Sequence, residues 1–408
     1  MRRLRRQRSR SVTAVPRRLT LRPDRFAAGG EAIARDEGGR IVFVRGAMPG
    51  DTVHAEVVSE KKDWVRAVAV EVVEPAPGRV TPPCPSRLAG CGGCGWQHMT
   101  IEAQRDARVG IVTDALRRTG GIAEPAVAQG GGVDPDGYRT TIRVAATSDG
   151  RAGYHAEQSH DIVAAPSCLV AHQTLRDLLP ALSLDPGVEP TLRVSVATGE
   201  LAARWDRAKG DVRGLPAGTP VGSGVVQHED VTGRRLRVSM GSFFQSGPQA
   251  AELLVDAVGR AAPEVAAAAA VVDAYAGVGM ISACLAGPSA RIFAIETSRV
   301  AVADAVANLG EQSAQVVRGE VGGWHVPAGV DVDVVIADPA RSGLGKPGVG
   351  ALARASAPVL VLVSCDPASL GRDAKLLAHT GYHHERTEVV DTFPHTTHIE
   401  AVSRFTRS

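Results

Sequence analysis

A chain of 408 residues, 44% of them hydrophobic, is long enough for two or three domains, each with a packed core. Its net charge is only +2, yet six of the first ten residues, "MRRLRRQRSR", are arginine. The basic start is not followed by an apolar run and no stretch could span a bilayer, which argues against export and against a membrane protein. The expected compartment is therefore the cytosol, where thiols stay reduced, and clustered cysteines there read as metal ligands or nucleophiles rather than disulfides.

Residues 1–16 read as a basic disordered tail, because so dense a block of one sign repels itself. It is either merely solvated or an arm that eases approach to a polyanion such as RNA. Residues 17–76 read as all-β. "IVFVRGAMPGDTVHAEVV" is rich in β-branched residues and broken by the turn Pro49-Gly50-Asp51, and "WVRAVAVEVVEP" stops at Pro75. About five short strands in this space suit a small closed barrel. Gly29-Gly30-Glu31, then "GGRIVFVRGAMPGD", then a last strand running into "PCP", resemble a TRAM domain. The resemblance implies an oligonucleotide-fold-like module that binds RNA; a generic barrel that binds protein is the plainer reading.

Residues 77–235 form a mixed α+β central region that opens with "CPSRLAGCGGCGWQH". Three of the six cysteines lie here, as C-x6-C-x2-C. A helix is expected near 101–118, with Val109, Val112 and Leu116 at helical spacing and Arg105, Arg108, Arg117 and Arg118 on other faces. Short strands with Gly and Pro breaks follow, and periodicity resolves this region no further.

From residue 236 the pattern changes to alternating strands and helices. "QAAELLVDAVGRAAP" is a helix stopped by Pro263. "AVVDAYAGVG", "RIFAIE", "DVDVVIADP" and "PVLVLVSC" are short strands, apolar on both sides, separated by helix-length stretches. That is a parallel sheet covered on both faces, a Rossmann-like α/β domain over 236–408. Gly277 and Gly279 let the backbone turn sharply after the first strand. A dinucleotide fingerprint would want a third glycine where Ser282 stands, so a nucleoside without a pyrophosphate fits better. Glu296, 23 residues after Asp273, ends the next strand, where a carboxylate can accept from both ribose hydroxyls. By residue type alone it reads equally as a solvated strand-end acid. Together with Asp338, whose charge suits a sulfonium, the pattern points to S-adenosylmethionine. Cys365 follows another buried strand, at the edge where open α/β sheets bind ligands, and its thiol is expected to be acidified by a helix N-terminus and Arg341. Cys284, mid-helix among apolar neighbours, reads as structural.

"SFFQ", "DAYAGVG", "AIE", "ADPAR", "SCDPASLGRD" and "DTFPHTTHIE" occur in the order and spacing of the RNA uridine C5-methyltransferases, which this chain resembles from the TRAM segment to its end. The resemblance implies that Cys365 is the nucleophile that adds to C6 of uracil and that Glu400 accepts the C5 proton. It implies cofactor contacts from Gln245, Tyr275, Gly277, Gly279, Glu296 and Asp338, a base-stacking ring at Phe243, and a phosphate or enolate partner at Arg341. His395 and His398 read either as supporting donors or as loop histidines. Met280 stands where relatives often have Asn, "QSGP" follows Gln245 in place of "QVN", and Asp366 stands where Asn is usual; none of these removes the nucleophile or the base.

Many family members hold a 4Fe-4S cluster on a C-x5-C-x2-C run and one distant cysteine. The resemblance therefore implies Cys84, Cys91, Cys94 and Cys168 as ligands, with a bulge for the longer first gap. Four thiolates also hold zinc, and a redox C-x-x-C lacks the β-α-β surroundings it would need. Two rival functions are a non-catalytic RNA-binding or ribosome assembly factor that kept the fold, and a methyltransferase for small molecules or another RNA atom. The first leaves the Cys365/Glu400 pair without a purpose; the second needs neither a thiol nor a TRAM segment. The RNA could be tRNA or ribosomal RNA, with the TRAM segment and cluster motif leaning to the latter, and a monomer is the default state.

Overall fold

The computed structural model describes residues 17–407, which form two compact units that divide after Arg79. The basic tail lies outside the described residues. In the first unit six strands, β1 (Arg18–Leu21), β2 (Arg25–Phe26), β3 (Ala32–Arg35), β4 (Ile41–Arg45), β5 (Thr52–Glu60) and β6 (Trp64–Glu74), form one sheet in the order β1-β5-β6-β4-β3-β2. There is one strand more than the sequence suggests, because the two-residue β2 is too short to leave a pattern. All pairs are antiparallel except β4 with β6. Alternation along β4, with Val42 and Val44 buried and Phe43 between them less so, places one face of the sheet inward. Asp51 locks the turn before β5. It is fully buried, takes N–H donors from Met48 and Ala76, and pairs with Arg79 at 2.6 Å.

The second unit is built on an eight-stranded sheet. Its spatial order is Ser313–Arg318, Arg291–Glu296, Ala270–Ala274, Val334–Ala337, Val359–Ser364, Glu400–Arg407, Tyr382–Asp391 and Val127–Gly132. The first five strands are mutually parallel. Glu400–Arg407 runs antiparallel to both of its neighbours. The chain moves outward from Ala270–Ala274 in one direction, then returns to its other side with Val334–Ala337. The strand ends on either side of that reversal open a crevice, the place where such sheets bind ligands. The strand Val127–Gly132, "VAQGGG", carries no strand pattern in its residues, yet pairs in parallel with Tyr382–Asp391 at the sheet edge.

The helix Ile101–Arg118 forms where the spacing predicts it, capped by Thr100, whose side chain accepts from the Ala103 N–H. Its buried side chains are Gln104, Arg108, Ile111, Val112 and Leu116, so Arg108 lies inside rather than on an exposed face. It packs against the helix Pro367–Ala378 at Gly371, where an added Cβ would come 2.6 Å from the Ala115 carbonyl oxygen. A glycine is needed there for backbone approach, not for a turn. Between the cysteine segment and the main sheet lie small antiparallel pairings, including the hairpin Val226–Val231/Arg234–Ser239, whose Thr232 and Gly233 both have the positive φ that a tight two-residue turn demands.

Candidate active site

The crevice is lined by strand ends. Asp273, in the strand Ala270–Ala274, is 1% exposed and accepts from the Ser282 hydroxyl at 2.6 Å and the Ser282 N–H at 3.3 Å. The serine that breaks the dinucleotide fingerprint thus ties the turn to the strand. Tyr275 and Gly277 have φ of 63° and 56°, and Gly279 caps the next helix at φ 78°. Leu309 lies where a Cβ on Gly279 would be 3.2 Å away, so the turn is pressed against the fold. The carboxylate of Glu296 accepts from Gly277 N–H at 3.0 Å and from the N–H groups of Thr297 and Ser298, both at 2.7 Å. It therefore fixes the glycine turn while standing at its strand end.

Asp338 follows the strand Val334–Ala337 directly and its N–H bonds to the Ala274 carbonyl at 3.2 Å. Cys365 follows Val359–Ser364, and Glu400 begins the antiparallel neighbour. The pairing register puts Ser364 opposite Ala401, so continuing it by one residue sets Cys365 across from Glu400. Two residues 35 positions apart in the chain thus share one end of one strand pair. Asp366 caps the helix Pro367–Ala378, its side chain accepting from Ser369 N–H at 2.7 Å.

The electrostatics differ from the expected acidified thiol. Burial pushes the Cys365 thiol up to about 11, and the nearby Glu400 and Asp338 carboxyls push the same way, against Arg341. Asp273 is raised by burial to about 6, despite its bonds from Ser282. Asp338 and Glu400 are raised as well, first by burial and then by neighbouring acid. Glu400 is only 5% exposed. Three carboxyls and a thiol crowd a desolvated crevice, and an added cation would favour the ionised form of each.

Of "SFFQ", Phe244 and Gln245 are buried and Phe243 is 73% exposed, a ring presented to solvent. This turn is held by residues that the motifs do not point to. Asp304, fully buried, accepts from Ser239 N–H, from the hydroxyls of Ser239 and Ser242, and from Arg237 Nε. Arg193 donates to the carbonyls of Ser239 and Ser242 at 3.1 and 2.9 Å. An acid in an alanine-rich helix and an arginine in a short strand look like surface residues in sequence, so only the fold reveals them. Arg341 donates to His398 Nδ1 at 3.0 Å. Burial and three nearby arginines push His398 down to about 4, so it is neutral and accepts. Cys284 is half-buried near the Val231 carbonyl, away from these groups.

The remaining four cysteines line one pocket of about 180 Å³, together with Arg139 and Tyr154. The short helix Pro85–Leu88 and Gly90, at φ 102°, take up the spacing between Cys84 and Cys91. Burial, then the neighbouring Cys168 sulfur, push the Cys94 thiol up to about 12. Among the described residues no three His, Cys, Asp or Glu side chains are arranged to hold a metal ion. Among the described residues no helix is long and apolar enough to cross a membrane.

A doubly wound sheet with a glycine turn at its switch point, and a thiol at the end of a neighbouring strand, is the framework of an RNA methyltransferase fold. The chain superposes on the tRNA (uracil-54, C5)-methyltransferase of Pyrococcus abyssi, solved with S-adenosyl-L-homocysteine, with a TM-score of 0.72 over 95% of this chain and 100% of that one, at 23% identity. It is 32% identical to an uncharacterized RNA methyltransferase of Streptomyces coelicolor, over 92% of this chain and 90% of that one. It is 31% identical to the 23S rRNA (uracil(1939)-C(5))-methyltransferase RlmD of Halomonas elongata, over 92% of this chain and 87% of that one. No protein-family model matches. The chain belongs to the RNA uridine C5-methyltransferase family and is an enzyme of that class.

Proposed function

We propose that this enzyme transfers a methyl group from S-adenosylmethionine to C5 of a uridine in ribosomal RNA through a covalent adduct at Cys365. The observation that carries the reading is the register that sets Cys365 across from Glu400 beside Asp338 and the glycine turn. The Cys365 thiolate forms a bond to C6, and the C5=C6 electron pair moves into an enolate with charge on C5. That carbon takes the methyl from the sulfonium, whose sulfur keeps the bonding pair and leaves as a neutral thioether. Glu400 removes the C5 proton, the C–H pair restores C5=C6, and the C6–S bond breaks to return the thiolate. The donor's positive sulfonium suits the crowd of raised carboxyls, and its arrival would favour the Cys365 thiolate. Gln245, Tyr275, Gly277, Gly279, Glu296 and Asp338 would hold the donor, and Phe243 would stack on a base. Incubation with 5-fluorouridine RNA and the donor should trap a denaturant-stable protein–RNA complex that Cys365→Ala cannot form. A complex formed equally by the variant would overturn the reading.

Ribosomal RNA is favoured over tRNA because the RlmD relative of Halomonas elongata is 31% identical to this chain, whereas the tRNA enzyme of Pyrococcus abyssi is 23% identical. Mapping 5-methyluridine in total RNA with and without the gene decides between them. In this reading residues 17–76 are a TRAM module that binds RNA, 77–235 a central domain carrying the cysteines, and 236–408 the methyltransferase domain. Cys84, Cys91, Cys94 and Cys168, which line one pocket, would hold a 4Fe-4S cluster, with zinc as the alternative. Arg139, buried in the pocket wall, would offset the cluster's negative charge. The cluster would tie the segment 84–94 to Cys168, which packs against a core that includes Leu175, Leu184 and Leu192. Iron, sulfide and zinc analysis of anaerobically purified protein distinguishes the two metals.

A further inference from the structure

The segment 392–399 joins the strand Tyr382–Asp391 to Glu400, and it has no regular structure of its own to hold it in place. The helix Ile101–Arg118, almost three hundred residues away in sequence, grips it. Arg108 is 1% exposed and donates from Nε to the His398 carbonyl at 3.0 Å. Its Nη2 donates to the carbonyls of Phe393 at 3.1 Å and Thr396 at 2.9 Å. Its Nη1 stands 3.3 Å from Asp391, and its guanidinium lies 5.3 Å from the Trp96 ring centroid. One turn earlier, Gln104 Oε1 accepts from His395 N–H at 2.7 Å. The His395 carbonyl in turn accepts from Trp96 N–H at 2.9 Å. His395 has φ 68°, a left-handed conformation that a non-glycine residue keeps only when its surroundings impose it.

We infer that Arg108, assisted by Gln104, is a positioning residue for the C5-proton acceptor: it fixes the His398 carbonyl, two residues before Glu400, and so aims that carboxylate at the adduct. The inference rests on the reading of Glu400 given above. A cation that bonds three carbonyls of one irregular segment fixes its path far better than apolar packing would, because each bond constrains direction as well as distance. A segment built only to be stable could bury apolar side chains at far lower desolvation cost than a guanidinium. The nucleophile stands on a different strand and is untouched by this grip. Loss of Arg108 should therefore slow proton removal more than thiol addition or methyl transfer.

The test is a single-turnover assay on total RNA from cells lacking the gene, labelled with tritium at uridine C5. Methyl transfer into RNA, free or protein-bound, is counted from carbon-labelled donor, and proton removal from tritium released to water. Wild type should release tritium as fast as it transfers methyl. Glu400→Gln should transfer methyl but hold the product as a covalent protein–RNA complex; if it does not, the reading of Glu400 itself fails. Given that result, Arg108→Met should slow tritium release at least tenfold relative to methyl transfer and accumulate the same complex, with Arg108→Lys falling between. Gln104→Leu, which removes the acceptor for His395 N–H together with the bond that Gln104 Nε2 donates to the Met99 carbonyl, should shift the ratio the same way if Arg108→Met does not fold. Variants that lose both steps in equal proportion, or neither, overturn the inference.

Discussion

The crevice and the segment that delivers Glu400 are neighbours built on opposite principles. In the crevice, Asp273, Asp338, Glu400 and Cys365 are desolvated together, with their carboxyls and thiol driven toward the neutral form. In the segment 392–399, carbonyl and N–H groups are matched to donors and acceptors from Arg108, Gln104, Trp96 and Tyr138. A region that must receive a charged ligand is left electrostatically incomplete, and a region that must hold a carboxylate still is completed by the protein. The methyl donor would complete the first; in the second the carbonyls of Phe393, Pro394, His395, Thr396 and His398 already have donors.

The largest effect expected from breaking this contrast lies at the thiol. Cys365→Ala should reduce methylation to below about one thousandth of wild type, since no other group in the crevice can form the C6 bond. Thermal unfolding should stay close to wild type, because the thiol is neutral in the free protein and its removal leaves no buried charge unpaired. A variant that keeps a tenth of the activity in a tritium or methyl assay would mean that the thiol is not the nucleophile.

The next largest effect tests whether completed regions carry the stability. Asp304→Ala strips four donors of their common acceptor and leaves Arg237 facing a void. Breaking such a buried network costs about 3 kcal/mol, measurable as a fall in denaturation midpoint. Phe243 and Gln245 follow the loosened turn directly, so donor binding should weaken as well. Gly371→Ala sharpens the point at smaller scale. The added Cβ must push the helix Ile101–Arg118 away from Pro367–Ala378, at a cost of about 2 kcal/mol, and this disturbs the clamp on 392–399 without touching a hydrogen bond.

What the sequence made legible follows the same division. Buried parallel strands are continuous apolar runs, so "AVVDA", "RIFAIE" and "VLVLVS" announce themselves and place Asp273, Glu296 and Cys365 at strand ends. The helix Ile101–Arg118 was equally plain from its spacing. The supporting groups were not. Arg108 and Asp304 have the residue types of a solvated helix face, and their partners lie far off in the chain, so no local pattern distinguishes them. "VAQGGG" has no strand propensity and joins the sheet only because an edge was open to it. The helix N-terminus and the arginine that suggest an acidic thiol are visible in sequence, whereas the desolvation and the two acids from other strands that raise it are not.

The smallest predicted effect is a pH dependence whose sign differs between the free crevice and the crevice with the donor bound. Asp273 and Asp338 titrate in the folded chain well above an ordinary aspartate, the first at about 6, because burial disfavours their charge. Between pH 4 and about 7 the folded state therefore binds more protons than the unfolded state, and stability without ligand declines as pH rises through that interval. Below it both states are protonated there; above it Glu400, raised well above an ordinary glutamate by burial and by Asp338, continues the decline. A cationic donor has the opposite dependence, since it favours the ionised carboxylates. Affinity for S-adenosylmethionine, measured by calorimetry, should rise about tenfold from pH 5 to pH 8 and then level off. The uncharged thioether S-adenosylhomocysteine lacks the sulfonium and should show a shallower rise. Equal slopes for the two ligands would mean that the crevice carboxyls respond to the shared amino acid part of the ligand rather than to the charge that makes the methyl transferable.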